Sequence, residues 1–213
     1  MRSLVTGGGT GIGRAIAERL MAEGHEVVVV GRRPIDLPGA TCLQWDITQP
    51  GLIEAVGPVD HLVNNAGKGH VAELSEWTDE DLRSLLEVHL VAPTRLAREW
   101  AASSSPGGCC VNIASTLAER SAPGLGMYAA AKAGLVSMTR SLAQELAPER
   151  RVNALVVGVV ETPMTADRDL SALEALHPLG LGAPADVAGA VAWLLGARWV
   201  TGAAIPIDGG QLL

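Results

Sequence analysis

Short apolar runs alternate along the chain with longer segments in which apolar residues recur every three or four positions. Glu26–Val30 contains four consecutive valines, which is typical of a strand buried on both faces of a parallel sheet. In Ile12–Glu23, apolar residues recur at helical spacing and Gly24 follows as a stop signal. We expect strands at Ser3–Thr6, Glu26–Val30, Cys42–Trp45, His61–Val63, Cys109–Ala114, Val152–Val157 and Ala204–Ile207. We expect the main helices at Ile12–Glu23, Asp79–Ala102, Tyr128–Leu146 and Pro184–Leu195.

This alternation predicts one α/β domain over residues 1–213, a doubly wound Rossmann-type fold with a mostly or wholly parallel seven-stranded central sheet. One connection departs from the pattern. Between Arg33 and Thr41 the stretch PIDLPGA holds two prolines and a glycine, which leave no room for a packed helix. We expect a loop there, and a single short helix near Ser171–Leu176.

Composition excludes several classes of protein. The net charge is −7 and only 18% of residues are charged, so no basic stripe is available for nucleic acid. No apolar run reaches the length of a membrane span, and we expect a cytoplasmic protein without a membrane partner. The three cysteines have neither disulfide nor metal-ligand spacing, so we expect them in the core and expect no metal site.

A glycine-rich turn, TGGGTGIG at Thr6–Gly13, stands between the first strand and the first helix. Glycines there let the backbone approach a pyrophosphate, whose charge is stabilised by free N–H groups at the helix N-terminus. The spacing is GxxxGxG rather than the dinucleotide fingerprint GxGxxG, and a purely structural turn is the alternative. We expect cofactor contacts from Thr6, Gly7, Gly9, Thr10, Gly11, Ile12 and Gly13.

The end of the second strand bears on the choice of cofactor. Arg32 and Arg33 stand where a carboxylate would bind the ribose hydroxyls of NAD, and two guanidiniums suit a 2′-phosphate instead. NADP(H) is therefore favoured and NAD(H) remains possible, although the two arginines could be solvated loop charges. Asp46, after the third strand, could bind the adenine amino group or cap the segment that follows.

The only tyrosine of the chain, Tyr128, lies one helical turn before Lys132. Residues four apart share one face of a helix, so both side chains can address one site. An ammonium at about 4 Å stabilises a phenolate by about 4 kcal/mol, enough to lower a phenol pKa by about three units. Ser115, after a predicted strand, could polarise a carbonyl by donating a hydrogen bond.

Taken together these motifs resemble the classical short-chain dehydrogenases/reductases, in particular the group similar to 3-oxoacyl-carrier-protein reductase. The resemblance rests on TGGGTGIG, NNAG at Asn64–Gly67, Ser115, Tyr128, Lys132, RVNAL at Arg151–Leu155 and IDGG at Ile207–Gly210. It implies an NAD(P)H-dependent oxidoreductase that transfers hydride between nicotinamide and a small-molecule ketone or secondary alcohol. A 3-oxoacyl thioester is one substrate it suggests.

The resemblance also implies roles for single residues. Tyr128 is the general acid, Ser115 orients the carbonyl, and Lys132 lowers the phenol pKa while holding the nicotinamide ribose. Further cofactor contacts are implied for Asp46, Ile47, Asn65, Ala66, Gly67, Val160 and Thr162. The family commonly forms homo-oligomers, so a tetramer or dimer is expected, paired through the helices Asp79–Ala102 and Tyr128–Leu146.

Two residues depart from the family pattern. His89 stands where an asparagine is usual, so it either replaces that residue in a proton relay or leaves the relay incomplete. Val157 replaces a proline in the turn before Gly158, and this change is a reason to expect reduced or specialised activity. A cofactor-binding sensor or assembly partner with little catalysis is therefore the alternative function. The short segment after Thr162 predicts an open site and does not identify the substrate. His177 lies in this segment and is either a solvated loop histidine or a substrate contact.

Overall fold

The computed structural model describes residues 1–213 and contains one seven-stranded sheet in the order β3-β2-β1-β4-β5-β6-β7. All neighbouring strands pair in parallel, which confirms the predicted fold class. The strands are β1 (Arg2–Thr6), β2 (Glu26–Gly31), β3 (Thr41–Gln44), β4 (His61–Asn64), β5 (Cys109–Ile113), β6 (Arg151–Val157) and β7 (Ala204–Ile207).

Helices cover both faces of this sheet. They are α1 (Gly11–Ala22), α2 (Leu52–Val56), α3 (Asp79–Leu86), α4 (Ala92–Ser103), α5 (Gly126–Leu146), α6 (Leu170–Glu174) and α7 (Pro184–Gly196). On one face, α1 and α7 bury residues such as Ile16 and Val191 against the strands. On the other, α2, α4 and α5 enclose a second core that includes the fully buried Trp100. None of the helices combines the length and the apolar character needed to cross a membrane.

The strand order reverses at β1, which lies between β2 and β4. In doubly wound sheets the loops on the two sides of such a reversal turn away from each other, and a crevice opens at the carboxyl ends of the strands. The glycine turn follows β1 and Asn64–Gly67 follows β4, so both motifs lie at this crevice. As predicted, no helix connects β2 to β3.

The continuous helix expected at Asp79–Ala102 is interrupted. Between α3 and α4 the residues Glu87–Val91 form a turn of π-helix. Pro93 lies at the start of α4 and has no N–H to donate, so the regular ladder of hydrogen bonds breaks in the turn before it. The wider turn carries His89.

The cysteines are only partly in the core. Cys109 and Cys110 are fully buried on β5, as expected. Cys42 is exposed, which corrects the prediction that it packs inside. It lies on β3, the edge strand of the sheet, whose short connection from β2 provides no helix to cover it.

Candidate active site

A cleft of about 1210 Å³ runs along the carboxyl ends of the strands. This exceeds the roughly 300–1,000 Å³ of most ligand pockets and leaves room for two molecules side by side. Every site residue expected from the sequence lines this cleft except Thr6. These lining residues are Gly7, Gly9, Thr10, Gly11, Ile12, Gly13, Arg32, Arg33, Asp46, Ile47, Asn65, Ala66, Gly67, His89, Ser115, Tyr128, Lys132, Val160 and Thr162.

Thr6 instead supports the cleft from below. Its side chain is buried, and its hydroxyl oxygen accepts hydrogen bonds from the N–H groups of Asn65 and Ala66, both at 3.0 Å. In return the Asn65 amide donates to the Thr6 carbonyl at 2.9 Å. These bonds tie the turn after β1 to the turn after β4 and fix the floor of the crevice.

The glycine turn presents an open helix N-terminus to the cleft. Gly7 and Gly11 have φ values of 68° and 52°, which favour glycine. Thr10 is the N-cap residue of α1, yet its side chain makes no capping hydrogen bond, and the first turn contains no acidic residue. The first N–H groups of a helix lack partners within it, so they attract an anion. The turn therefore fits the pyrophosphate of a dinucleotide.

Arg32, Arg33 and Asp46 line the outer end of the cleft. Both arginine side chains are exposed, and neither makes an ion pair. One oxygen of Asp46, Oδ1, accepts hydrogen bonds from the N–H and the hydroxyl of Thr48, both at 2.9 Å. The backbone hydrogen bond from Thr48 is the main reason that the pKa of Asp46 is lowered. Asp46 thus caps its own turn through Oδ1, and it lines the same end of the cleft as Arg32.

Lys132 and Tyr128 lie together on the cleft side of α5. The Lys132 ammonium is buried, donates to the Ile113 carbonyl at 2.7 Å, and lies 5.7 Å from the centre of the Tyr128 ring. Burial lowers the pKa of Lys132 to about 8, so the side chain is charged at neutral pH. The carbonyl at the end of β5 therefore fixes where this positive charge is placed.

The phenol pKa differs from the sequence expectation. Burial raises the pKa of Tyr128, and a hydrogen bond with Ser115 and the charge of Arg168 offset this only in part. The polypeptide alone therefore keeps the phenol protonated at neutral pH. A protonated phenol is the form required of a general acid, so the site is set for proton donation.

His89 lies against the same tyrosine. Its ring meets the Tyr128 ring edge to face, with ring centres 4.9 Å apart. Nε2 lies 2.8 Å from the Lys68 carbonyl and 3.3 Å from the Lys68 N–H. The shorter contact is to a group that can only accept, so it assigns the proton to Nε2 and leaves the buried Nδ1 without a partner. Burial lowers the pKa of His89 to about 3, so the ring is neutral at physiological pH. The π-helical turn thus brings His89 into the cleft, as turns of this kind often do at functional sites.

Comparison with known proteins identifies the family. Residues 7–211 match a family model described as enoyl-(acyl carrier protein) reductase. The 3-oxoacyl-[acyl-carrier-protein] reductase MabA of Mycobacterium tuberculosis (strain CDC 1551 / Oshkosh) is 35% identical over 225 residues, covering 98% of this chain and 91% of the relative. The chain belongs to the short-chain dehydrogenase/reductase family. It is therefore an oxidoreductase of that family, as the motifs predict.

Solved structures of short-chain dehydrogenases/reductases share the whole architecture. A short chain dehydrogenase from Burkholderia cenocepacia J2315 in complex with NADP has a TM-score of 0.90 at 31% identity, covering 100% of this chain and 98% of that one. A 3-ketoacyl-(acyl-carrier-protein) reductase from Brucella melitensis complexed with NADH has a TM-score of 0.92 at 31% identity, with the same coverage.

The segment after β6 closes one side of this short-chain dehydrogenase/reductase site. It runs from Gly158 through α6, close to the predicted helix, and we term residues 161–180 the lid. His177, within the lid, is buried. Its Nε2 accepts a hydrogen bond from the Val159 N–H at 3.1 Å, and its Nδ1 donates one to the Leu173 carbonyl at 2.8 Å. His177 is therefore neither a solvated loop residue nor a substrate contact. It pins the lid to the turn that follows Val157.

Sequence reasoning missed several parts of the site. Asn64 donates to Asn112 at 2.9 Å, and Asn112 donates to Thr139 at 2.9 Å, forming a buried polar chain that ties β4 to β5 and to α5. Arg120 and Arg168 also line the cleft. Neither belongs to a motif, and their positions follow from the loops that carry them.

Proposed function

We propose that this short-chain dehydrogenase/reductase uses NADPH to reduce a ketone to a secondary alcohol, with Tyr128 as proton donor. Among possible substrates, 3-oxoacyl thioesters come first because relatives such as MabA are named reductases of 3-oxoacyl carrier-protein conjugates. The observation that carries the proposal is the convergence of Ser115, Tyr128 and Lys132 beside the open N-terminus of α1 in one cleft.

The cofactor preference rests on charge. The uncapped first turn of α1 receives the pyrophosphate, and the free guanidiniums of Arg32 and Arg33 receive a 2′-phosphate. Structural neighbours include complexes with NADP, NADPH and NADH. NADP(H) is therefore the proposed physiological cofactor, and NAD(H) is a weaker substitute.

Catalysis then follows from the positions of three side chains. When bound, the nicotinamide supplies the hydride. Ser115 donates a hydrogen bond to the substrate carbonyl, and Tyr128 passes its phenolic proton to the oxygen that becomes the alcohol. The Lys132 ammonium, 5.7 Å from the ring centre and charged at neutral pH, favours the phenolate that this proton transfer leaves behind.

The test is NADPH oxidation by the wild-type protein and by Tyr128→Phe across ketones, aldehydes and 3-oxoacyl thioesters. We expect turnover of at least one ketone, and a loss of at least about 100-fold in the variant, the usual contribution of a general acid. NADPH affinity, measured by fluorescence titration, should change little in Tyr128→Phe. Tight NADPH binding without turnover of any carbonyl would instead favour the cofactor-binding sensor.

Two further proposals concern the assembly and the location of the protein. We propose a homo-oligomer paired through the helical segments α3–α4 and α5. Val91, 46% exposed between α3 and α4, is an apolar residue that such pairing would cover. Analytical ultracentrifugation tests this, since a purely monomeric protein at micromolar concentration would contradict it. The cytoplasmic location stays a prediction from the sequence.

A further inference from the structure

The cleft is lined mainly by positive charges, although the protein as a whole is negatively charged. The chain as a whole carries a net charge of −7. Among the residues that line the cleft, however, six are basic and one is acidic: Arg32, Arg33, Lys68, Arg120, Lys132 and Arg168, against Asp46. Low-dielectric walls lined by one sign of charge raise the local concentration of ligands of the opposite sign. The cleft is therefore built for anions.

Four of these six cations already have a role or a partner. Arg32 and Arg33 lie at the end proposed for the 2′-phosphate. Lys132 donates to the Ile113 carbonyl, and Lys68 donates to the Ser84 hydroxyl at 2.6 Å. Arg120 and Arg168 remain, and neither side chain takes part in any ion pair.

Arg168 reaches across the cleft from the lid. Its Nη2 atom lies 4.0 Å from the position that a Cβ atom on Gly69 would occupy, so the guanidinium spans from the lid to the turn after β4. Arg168 lines the same cleft as Ser115 and Tyr128. The charge of Arg168 also acts on the Tyr128 phenol. A ligand group bound to Arg168 would therefore lie near the reacting carbonyl.

Arg120 lines the cleft from the segment that follows Ser115. It follows the short 3₁₀ helix Thr116–Ala118, which begins directly after Ser115. Its backbone N–H donates to the Thr116 carbonyl at 3.0 Å, which holds it close to the catalytic serine, and its side chain is half-buried in the cleft wall. Two cationic side chains without an ion-pair partner thus line the cleft that holds Ser115 and Tyr128.

Acidic residues do not neutralise this pair within the cleft. Glu119, Asp167 and Asp169 are sequence neighbours of the two arginines, yet none of them lines the cleft. Asp169 is engaged elsewhere: its Oδ1 accepts from the N–H and the hydroxyl of Ser171 at the start of α6. The guanidiniums therefore remain available to a ligand.

We propose that the substrate carries an anionic oxygen group, a carboxylate or a phosphate, which Arg120 and Arg168 bind beside the reacting carbonyl. The inference rests on the proposed ketone reductase function and specifies its substrate class. A carboxylate would belong to the substrate itself, as in an oxo acid. A phosphate would belong to a carrier attached to the carbonyl chain through a thioester.

The test compares three ketones that share one reacting group. Acetoacetate supplies a carboxylate, acetoacetyl-coenzyme A supplies phosphates, and the acetoacetyl thioester of N-acetylcysteamine supplies neither. We measure kcat/KM with NADPH for the wild type, Arg120→Gln and Arg168→Gln. Arg140→Gln is the matched control, because Arg140 is exposed on α5 outside the cleft and its loss changes the net charge equally.

We expect Arg120→Gln and Arg168→Gln each to lower kcat/KM by about tenfold for one anionic ketone, the usual effect of losing a hydrogen bond to a charged group. The neutral thioester should change less than about twofold, as should every substrate with Arg140→Gln. The anion that responds identifies the source, carboxylate or carrier phosphate. Equal losses on the neutral thioester, or unchanged rates on both anions, would overturn the inference while leaving the reductase function intact.

A wild-type protein that reduces none of the three ketones, nor any carbonyl of the wider panel, would overturn the reductase function and this inference with it. A protein that reduces only the neutral thioester would overturn the inference alone. The two failures are therefore distinguishable within one set of assays.

Discussion

Two buried histidines should make the folded protein lose stability as the pH falls from 7.5 to 5. Burial is the main reason that the pKa of His61 is lowered to about 4 and that of His89 to about 3. In the unfolded chain each ring has a pKa near 6.5. Below that value the unfolded chain binds protons that the folded protein does not. The stabilisation is therefore complete above about pH 6.5 and is lost as the pH falls toward the folded-state values.

The magnitude follows from the width of this interval. At pH 5 the unfolded state lies about 1.5 units below its histidine pKa, which corresponds to about 2 kcal/mol for each histidine and about 4 kcal/mol for the pair. The total free energy of unfolding of a domain is about 5–15 kcal/mol. The pKa of His25 is also lowered by burial, so His25 acts in the same direction. Carboxylates titrate mainly below this range, so histidines dominate the change.

Urea unfolding at pH 5 to 7.5 and fixed protein concentration measures this dependence. Between pH 5 and 6 we expect the free energy of unfolding of the wild type to change by about 2.4 kcal/mol, and that of His89→Asn by about half as much. Leu85→Ala is the control: Leu85 is fully buried, so its truncation lowers stability without changing the pH slope. A wild-type change below about 1 kcal/mol over the whole range, or an unaltered slope in His89→Asn, would refute the reasoning.

Three further predictions concern the cofactor, the lid and the buried lysine. Arg32→Ala combined with Arg33→Ala should raise the Kd of NADPH at least about tenfold and that of NADH less than twofold, since only NADPH offers a 2′-phosphate; equal increases in a fluorescence titration would contradict the assignment. His177→Ala leaves the Val159 N–H unpaired, while the Leu173 carbonyl keeps its hydrogen bond from the Leu176 N–H. It should therefore lower stability by about 2 kcal/mol and speed tryptic cleavage in the lid, and unchanged cleavage would argue against the pinning role. Ketone reduction should decline as the pH rises through about 8, where Lys132 loses its charge, and an initial-rate profile that stays flat to pH 10 would contradict this.

The sequence was sufficient for the fold because its signals are local and strong. Runs such as Glu26–Val30 and the helical spacing in Ile12–Glu23 mark elements whose burial depends on their own pattern. The prolines in PIDLPGA identified the missing helix between β2 and β3 by the same local reasoning. Once a parallel doubly wound sheet is established, the loops at its carboxyl edge converge on one crevice. The grouping of most site residues therefore followed from topology.

Other features depended on contacts distant in sequence. The π-helical turn at Glu87–Val91 reflects Pro93, whose effect on the preceding hydrogen bonds is hidden by a continuous apolar pattern. The buried chain from Asn64 through Asn112 to Thr139 joins three elements, and each residue alone looks like an isolated polar position. Its hydrogen bonds exist only in the folded protein, so no local pattern could predict them.

The two departures from the family pattern change which residues support the site, and they leave its catalytic side chains in place. Val157 stands where the family has the proline of a rigid turn. His177 instead holds Val159, two residues later, through a buried hydrogen bond that links this turn to the lid. His89 replaces an amide, and the π-helical turn places its neutral ring edge to face against Tyr128 with Nδ1 free to accept a hydrogen bond. A decaying site would have no reason to keep a buried ammonium, which is costly unless it is used. The retained Lys132 and the local replacements around it therefore favour the enzyme over the sensor.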